Sequence, residues 1–248
     1  MIKFSVLSSG SKGNCTYIEI NNHKYLLDIG TNFLYTNSKL KELDVDFKDI
    51  EGIFITHLHT DHIGGLKRFL KEHDCKVYLT EKMFENISDK PNNAVIYEDT
   101  IPFDEYIIET IKLSHDTPDC RGYIFSDNNS SLVYITDTGY INKKYFDKLK
   151  NRTAYILESN HDVDMLMNSK RFYPLKMRIL GDEGHICNKD CAYYLSNFIG
   201  DSTKMVILAH LSEECNTPEL AYNEIVTIIN DKDLLIAKQN ERTELIEL

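Results

Sequence analysis

Positions 57–62 read HLHTDH, directly after an apolar run with the character of a β-strand. In an extended segment alternate side chains point the same way, so His57 and His59 can bind one metal ion together. Asp61 and His62 begin a predicted helix, where the chain turns and can present both side chains to a second ion. Imidazole and carboxylate ligands suit zinc, or manganese where oxygen ligands dominate. Three of the nine histidines within six positions therefore indicate a metal site rather than a solvated turn.

The composition is that of a folded, acidic protein. The chain has 248 residues, of which 42% are hydrophobic and 27% are charged, and these values are typical of globular domains. With 28 basic and 39 acidic residues, the formal net charge is −11. This excess of acid argues against a uniformly basic surface for polyanions. It leaves room for a local basic groove around a metal centre.

The sequence also bears on location. No apolar run approaches the roughly 20 residues needed to span a membrane, and the N-terminal segment turns polar too soon for a signal peptide. We therefore expect a cytoplasmic protein without a membrane partner. The six cysteines are scattered and include no C-x-x-C pair, so we expect free thiols in a reducing compartment. Nothing in the sequence indicates an oligomeric state.

Hydrophobic patterning predicts an alternation of strands and helices along the whole chain. The predicted strands are 3–7, 16–20, 24–29, 52–56, 76–79, 106–113, 122–126, 132–136, 155–158, 204–209 and 234–238. The predicted helices are 38–43, 61–72, 142–151, 189–198 and 218–230. There is no repeat, low-complexity tract or linker, so we expect one compact α/β domain over residues 1–248, with sheets inside and helices outside.

The HLHTDH motif is similar to the signature of metallo-β-lactamase-fold hydrolases. That resemblance implies an αββα four-layer sandwich carrying two divalent metal ions, with zinc favoured over manganese. It implies a ligand set in which Asp137 bridges the ions and Asp28 holds a ligand imidazole by its other nitrogen. The implied ligands are His57, His59, Asp61, His62, His115, Asp137 and His210.

Further segments resemble the YycJ-type branch of that family, namely 8–14, 158–162, 184–185 and 210–220. Members of the branch are regarded as metal-dependent, exonuclease-like phosphodiesterases related to ribonuclease Z-like enzymes. The resemblance implies a nucleic acid substrate, with DNA expected, attacked by metal-activated water. A small-ester or thioester hydrolase on the same centre is the alternative, because thioesterases of the glyoxalase II type share these ligands. A non-catalytic metal-binding module is a third hypothesis, against which the intact ligand set argues.

The resemblance also implies catalytic and substrate-binding roles. Besides Asp61, the catalytic residues would be His185, which would protonate the departing oxygen, and Glu158, which would orient it. A buried structural pair is the alternative for those two residues. The polar loop 9–14 offers Ser9, Ser11 and Asn14 as phosphate contacts, unless it is only a turn.

Other features keep two interpretations each. Segment 165–181 has four basic residues, two aromatic residues (Phe172 and Tyr173) and no acidic residue. It could contact nucleic acid, or it could be a solvated helix and turn with core aromatics. Asp116 could orient the surroundings of a ligand or be a loop carboxylate. His161 could line the cleft or be a structural histidine.

Overall fold

The computed structural model describes residues 1–229 and 231–248. The strands are β1 (Ile2–Ser8), β2 (Cys15–Ile20), β3 (His23–Leu27), β4 (Gly52–Phe54), β5 (Lys76–Thr80), β6 (Ala94–Tyr97), β7 (Thr100–Pro102), β8 (Ile107–Lys112), β9 (Arg121–Ser126), β10 (Ser131–Ile135), β11 (Ala154–Glu158), β12 (Met205–Ala209), β13 (Asp233–Ile236) and β14 (Ile246–Glu247). The helices are α1 (Phe33–Lys41), α2 (Thr60–Ile63), α3 (Leu66–Glu72), α4 (Glu81–Asn86), α5 (Phe146–Leu149), α6 (Val163–Asn168), α7 (Tyr173–Leu180), α8 (Asn188–Phe198) and α9 (Pro218–Ile229).

These strands form two seven-stranded mixed sheets. The first sheet has the order β14-β1-β2-β3-β4-β5-β6 and the second has the order β13-β12-β11-β10-β9-β8-β7. In the first sheet, pairing is antiparallel from β14 to β3 and parallel from β3 to β6. In the second, it is antiparallel from β7 to β10 and parallel from β10 to β13. Each sheet therefore has a half whose strands end at a common edge, where loop-borne side chains can meet.

The two sheets pack face to face on an aromatic-rich core. Phe54 stacks on Tyr78 with ring centroids 4.5 Å apart, and it contacts Phe125 of the second sheet at 5.7 Å. Helices α1, α3 and α4 cover the outer face of the first sheet, whereas α5, α8 and α9 cover that of the second. The predicted αββα four-layer sandwich is thus confirmed.

The predicted helix 61–72 is two short helices, α2 and α3, separated by Gly64 and Gly65. The amide of Gly65 donates to the carbonyl of Ile29 at 2.8 Å, and a Cβ there would lie 2.0 Å from the carbonyl oxygen of Thr31. A continuous helix with side chains could not pass this close to the loop after β3. The break therefore places the metal-binding motif directly against that loop.

Other boundaries also differ from the sequence patterns. The first helix begins at Phe33, because the side chain of Asn32 caps it by accepting from the amide of Tyr35 at 3.0 Å. The predicted helix 142–151 is a short 3-10 turn followed by the single turn α5. The strands β6 and β7 and the helix α4 had no clear pattern in the sequence. The predicted helix 218–230 is present as far as Ile229, and position 230 lies outside the described residues.

None of the helices in the described part of the chain is long and apolar enough to cross a membrane. All six cysteines are buried and carry free thiols.

Candidate metal centre

The site lies where strands of both sheets end and the chain turns sharply. Asp28 follows β3, Asp137 lies two residues after β10, and His210 follows β12, with φ of 59°, 58° and 56° respectively. Left-handed backbone is uncommon outside glycine, although Asp, Asn and His adopt it more readily than other residues. Three such turns at one edge bring side chains from separate strands to one point.

A first cluster consists of His57, His59 and His115, whose ligand atoms all lie within 4.8 Å of one another. The ring centroids of His57 and His59 are 4.8 Å apart, and those of His59 and His115 are 4.9 Å apart. The Nε2 atom of His57 is buried and has no hydrogen-bond partner among the described residues. Burial, together with the charge of His62, lowers the pKa of His57 well below its usual value, so its lone pair is available to a metal ion.

A second cluster consists of Asp61, His62, Asp137 and His210, again with ligand atoms within 4.8 Å of one another. Asp137 lies between the two clusters, with Oδ2 3.1 Å from His62 Nε2 and Oδ1 3.9 Å from His115 Nε2. Burial alone would raise the pKa of Asp137, but the charges of His210 and His62 hold it well below its usual range. The carboxylate is therefore ionised and positioned to serve both clusters.

Asp28 orients His62 from the side opposite the cluster. Its Oδ2 atom accepts from His62 Nδ1 at 2.7 Å and from Thr56 Oγ1 at 2.8 Å, and its Oδ1 atom accepts from the amide of Thr56 at 2.8 Å. Burial would lower the pKa of His62, but Asp137 and Asp28 raise it to about 10. A metal ion at His62 would therefore displace a proton. This is the contact that the resemblance implied for Asp28.

His115 is oriented by backbone rather than by a carboxylate. Its Nδ1 atom lies 3.1 Å from the carbonyl oxygens of both Glu183 and Gly184, and this contact directs Nε2 to the first cluster. Sequence reasoning missed it, because a backbone acceptor has no residue signature. The sequence feature that could have indicated this contact is Gly184. A Cβ at that position would lie 2.1 Å from the carbonyl oxygen of Ile179, so the close approach of the backbone requires glycine.

His185 and Glu158 meet beside the second cluster. The Oε1 atom of Glu158 accepts from Nδ1 of His185 at 2.7 Å and from Nδ1 of His210 at 3.0 Å. Its Oε2 atom accepts from the amide of Thr138 at 3.0 Å. Burial alone would raise the pKa of Glu158, but His185 and the hydrogen bonds from both imidazoles lower it to about 2. The His185 side chain is 21% exposed, so its ring remains accessible from the cleft.

The loop 9–14 contacts residues of the second cluster directly. Ser9 Oγ accepts from the amide of His210 at 2.8 Å, and Asn14 Nδ2 lies 2.9 Å from His62 Nε2. The Asn14 amide N–H also donates to the carbonyl of Asp61 at 2.7 Å. Ser9 and Asn14 are buried, whereas Ser11 is exposed. These bonds show that the loop supports the site, and its contact with substrate stays a prediction.

Asp116 connects the site to the surface. Its Oδ1 atom is 3.3 Å from His59 Nε2 and 3.6 Å from His115 Nε2, and its Oδ2 atom pairs with the guanidinium of Arg178. His161, in contrast, is buried and has no hydrogen-bond partner for either ring nitrogen among the described residues. That position favours a structural role for His161 over one lining the cleft.

The donor set fits divalent metal ions. Within residues 1–229 and 231–248, buried imidazole nitrogens without hydrogen-bond partners, at His57 and His210, lie near the ionised carboxylate of Asp137. Unpaired buried donors and acceptors are costly to a fold, and metal coordination would satisfy them. Nitrogen and oxygen ligands in these numbers suit zinc or manganese.

Comparison with known proteins agrees with this geometry. A family model described as a β-lactamase superfamily domain matches residues 23–210. The chain is 36% identical over 238 residues to exodeoxyribonuclease YycJ of Bacillus anthracis, which covers 93% of this chain and 90% of the relative. It is 34% identical over 241 residues to exodeoxyribonuclease WalJ of Streptococcus pneumoniae serotype 2, which covers 94% of this chain and 90% of the relative.

Among solved structures, the metallo-β-lactamase fold protein YhfI from Bacillus subtilis superposes with a TM-score of 0.74. The match covers 98% of this chain and 100% of that chain at 16% identity, which shows a common fold alone. The family model and the two exodeoxyribonucleases go further, because each matches most of the chain. The chain therefore belongs to the β-lactamase superfamily and, within it, to the family that contains YycJ and WalJ.

Proposed function

We propose that this protein is a two-metal phosphodiesterase that removes nucleotides from the ends of DNA. Membership of the superfamily, together with a complete donor set, makes the chain a metal-dependent hydrolase. Two relatives that each match more than 90% of the chain are named exodeoxyribonucleases, which supports a nucleic acid substrate. The observation that carries the proposal is the His185–Glu158 pair, because it adds a proton donor beside the metal ligands.

The two clusters would each hold one ion, and Asp137 would contact both. We expect zinc, with manganese as the alternative. When bound, such ions supply a water acidic enough to attack at neutral pH and positive charge against the phosphate. Asp61 and His62, at the start of α2, would hold the second ion with His210, and His57, His59 and His115 would hold the first.

His185 would protonate the sugar oxygen that leaves phosphorus. An alkoxide is a poor leaving group, so a positioned general acid contributes about 10²–10⁴-fold in rate. Glu158 keeps the Nδ1 proton of His185 in place, which leaves Nε2 as the atom that can exchange a proton with substrate. Glu158 itself is ionised and fully buried, so its carboxylate contacts His185 from the protein interior.

The first experiment is cleavage of end-labelled single-stranded and double-stranded DNA with zinc or manganese. We expect mononucleotides from the wild type and none from His59→Ala. Intact DNA from a wild type that retains its metal would refute the nuclease proposal. It would favour the alternative of a small-ester or thioester hydrolase, for which thioesters are the substrates to assay.

A second experiment tests the proton donor with two leaving groups. Glu158→Gln should slow DNA cleavage by about 10²–10⁴-fold. Hydrolysis of bis(p-nitrophenyl) phosphate should fall by less than about tenfold, since its leaving group needs no proton. Glu219→Gln, at an exposed position on α9, is the matched control. Equal losses on both substrates, with metal content unchanged, would contradict the role of the pair.

We also propose that residues 1–248 work as one domain in the cytoplasm. The core between the sheets takes side chains from β1 near one end of the chain and from Ile246 at the other, which supports a single folding unit. Six free thiols suit a reducing compartment.

A further inference from the structure

Helix α7 and the residue before it expose large apolar side chains to solvent. Phe172 is 67% exposed, Tyr173 is 63% exposed and Met177 is 45% exposed. The two aromatic residues are therefore not core residues. This exposure contradicts the interpretation of the segment as a solvated helix and turn with core aromatics. Exposed apolar side chains next to one another make this surface a candidate binding site.

The same surface carries two exposed basic residues, Lys170 and Arg178. Lys170 is exposed, and it forms no ion pair within the described residues. Arg178 lies next to Met177 and is exposed, with Asp116 as its acidic partner. Lys176, in contrast, is buried and donates to the carbonyls of Met167 and Ser169 at 2.7 and 2.8 Å, so it anchors the helix. We call the exposed set the α7 patch, made of Lys170, Phe172, Tyr173, Met177 and Arg178.

The α7 patch is physically joined to the metal centre. Arg178 pairs with Asp116, whose other oxygen is 3.3 Å from the proposed ligand His59. Just after α7, the backbone packs so closely on Gly139 that a Cβ there would lie 2.3 Å from the carbonyl oxygen of Asp182. The Arg178 end of the α7 patch therefore adjoins the metal centre.

We propose that the α7 patch binds the unpaired end of the DNA strand being degraded. Bases stack on Phe172 and Tyr173, and Lys170 neutralises backbone phosphate. Arg178 exchanges the carboxylate of Asp116 for the phosphate next to the reacting one. Interleaved cations and exposed aromatic faces, without acidic residues in the segment, are the chemistry of single-strand binding. Duplex DNA hides its base faces in the stack, so the patch favours unpaired strands. This inference rests on the proposed function.

The test measures binding separately from cleavage. The probe is a fluorescein-labelled, phosphorothioate-linked oligo-dT of about 12 nucleotides. The metal-loaded protein is titrated into this probe, and binding is measured by fluorescence anisotropy. Phe172→Ala and Tyr173→Ala should each weaken binding by roughly 5- to 150-fold, the range for one stacked base. Phe172→Tyr should restore it, because it keeps a stacking face. Tyr222→Ala, which removes a 43% exposed tyrosine from α9, is the matched control and should bind as the wild type does.

A salt titration gives an independent measurement. Lys170→Ala should reduce the slope of log affinity against log salt by about 0.7, the value for one phosphate contact on a single strand. Lys143→Ala, at another exposed lysine, should leave the slope unchanged. A blunt duplex of equal length should compete less well than the single strand.

The outcomes separate this inference from the proposed function. If the wild type degrades DNA while Phe172→Ala and Tyr173→Ala keep wild-type KM and affinity, the patch is refuted and the nuclease stands. If the wild type binds oligo-dT through these residues but releases no nucleotide, the nuclease is refuted and the patch stands. If sedimentation shows a wild-type dimer that Phe172→Ala makes monomeric, the patch is a contact between copies and the inference is overturned.

Discussion

Replacing Asp28 with Asn should weaken metal binding while leaving the fold intact. Asp28 has a φ of 59°, which Asn tolerates well, so the backbone cost is small. The chemistry changes, however, because one carboxylate oxygen accepts from His62 and the other from the amide of Thr56. An amide has only one oxygen. If the oxygen of the new asparagine side chain accepts from His62, its NH₂ group lies against the N–H of Thr56, and two donors face each other. If the oxygen accepts from Thr56 instead, the NH₂ group faces His62 Nδ1, and His62 takes the tautomer whose Nε2 proton faces the metal.

The expected loss of metal affinity follows from what hydrogen-bond partners of ligand imidazoles contribute elsewhere. Loss of a hydrogen-bond partner behind a ligand imidazole typically costs 10- to 100-fold in metal affinity, or about 1.4–2.8 kcal/mol. Zinc affinity is measured by competition with a chromophoric chelator, and stoichiometry by elemental analysis. Asp127→Asn is the matched control, since the side chain of Asp127 is only 2% exposed but accepts from the amides of Asn129 and Ser130, in the turn after β9. Zinc affinities within twofold of wild type in a well-folded Asp28→Asn protein would refute the reasoning.

Two further perturbations test burial and close packing. Burial lowers the pKa of His161 to about 4, against 6.5 for the free side chain, so the folded state loses stability as pH falls from about 6.5 to 4. The loss of unfolding free energy from His161 reaches about 3 kcal/mol at pH 4. Urea unfolding at pH 7 and pH 4 should show that His161→Leu loses about that much less stability on acidification than the wild type. An equal loss in both proteins would contradict a buried, neutral His161. Gly30→Ala would place a Cβ 1.6 Å from the carbonyl oxygen of Asp61, whereas Gly181→Ala meets nothing nearer than 3.3 Å. Thermal and urea unfolding should show a loss of more than about 3 kcal/mol for the first variant and far less for the second, and similar values would count against the packing argument.

Part of the clustering of these residues could be predicted from the sequence, because the spacing within 57–62 follows strand and helix geometry. Alternation along an extended segment places His57 beside His59, and the implied ligands come after strands whose ends meet at the site. The family resemblance added residues that are distant in the sequence, such as Asp28. In the structure its Oδ2 atom lies 2.7 Å from Nδ1 of His62.

What the sequence did not predict depends on contacts between backbone segments and on exposure. The pair of carbonyls that holds His115 belongs to Glu183 and Gly184, and any residue types could supply those oxygens. The break at Gly64 and Gly65 depends on how closely the loop after β3 approaches. Likewise, periodicity alone could not decide whether Phe172 was core or surface.

A single oxygen, Oε1 of Glu158, serves both a proposed metal ligand, His210, and the proposed proton donor, His185. The two imidazoles therefore share one acceptor, so a change in the hydrogen bond from His210 also affects the hydrogen bond from His185. By thermodynamic reciprocity, any effect of metal binding at His210 on the bond between His185 and Glu158 would be matched by an equal effect of that bond on metal affinity. Metal occupancy and the state of the proposed proton donor would then be coupled through that one oxygen atom.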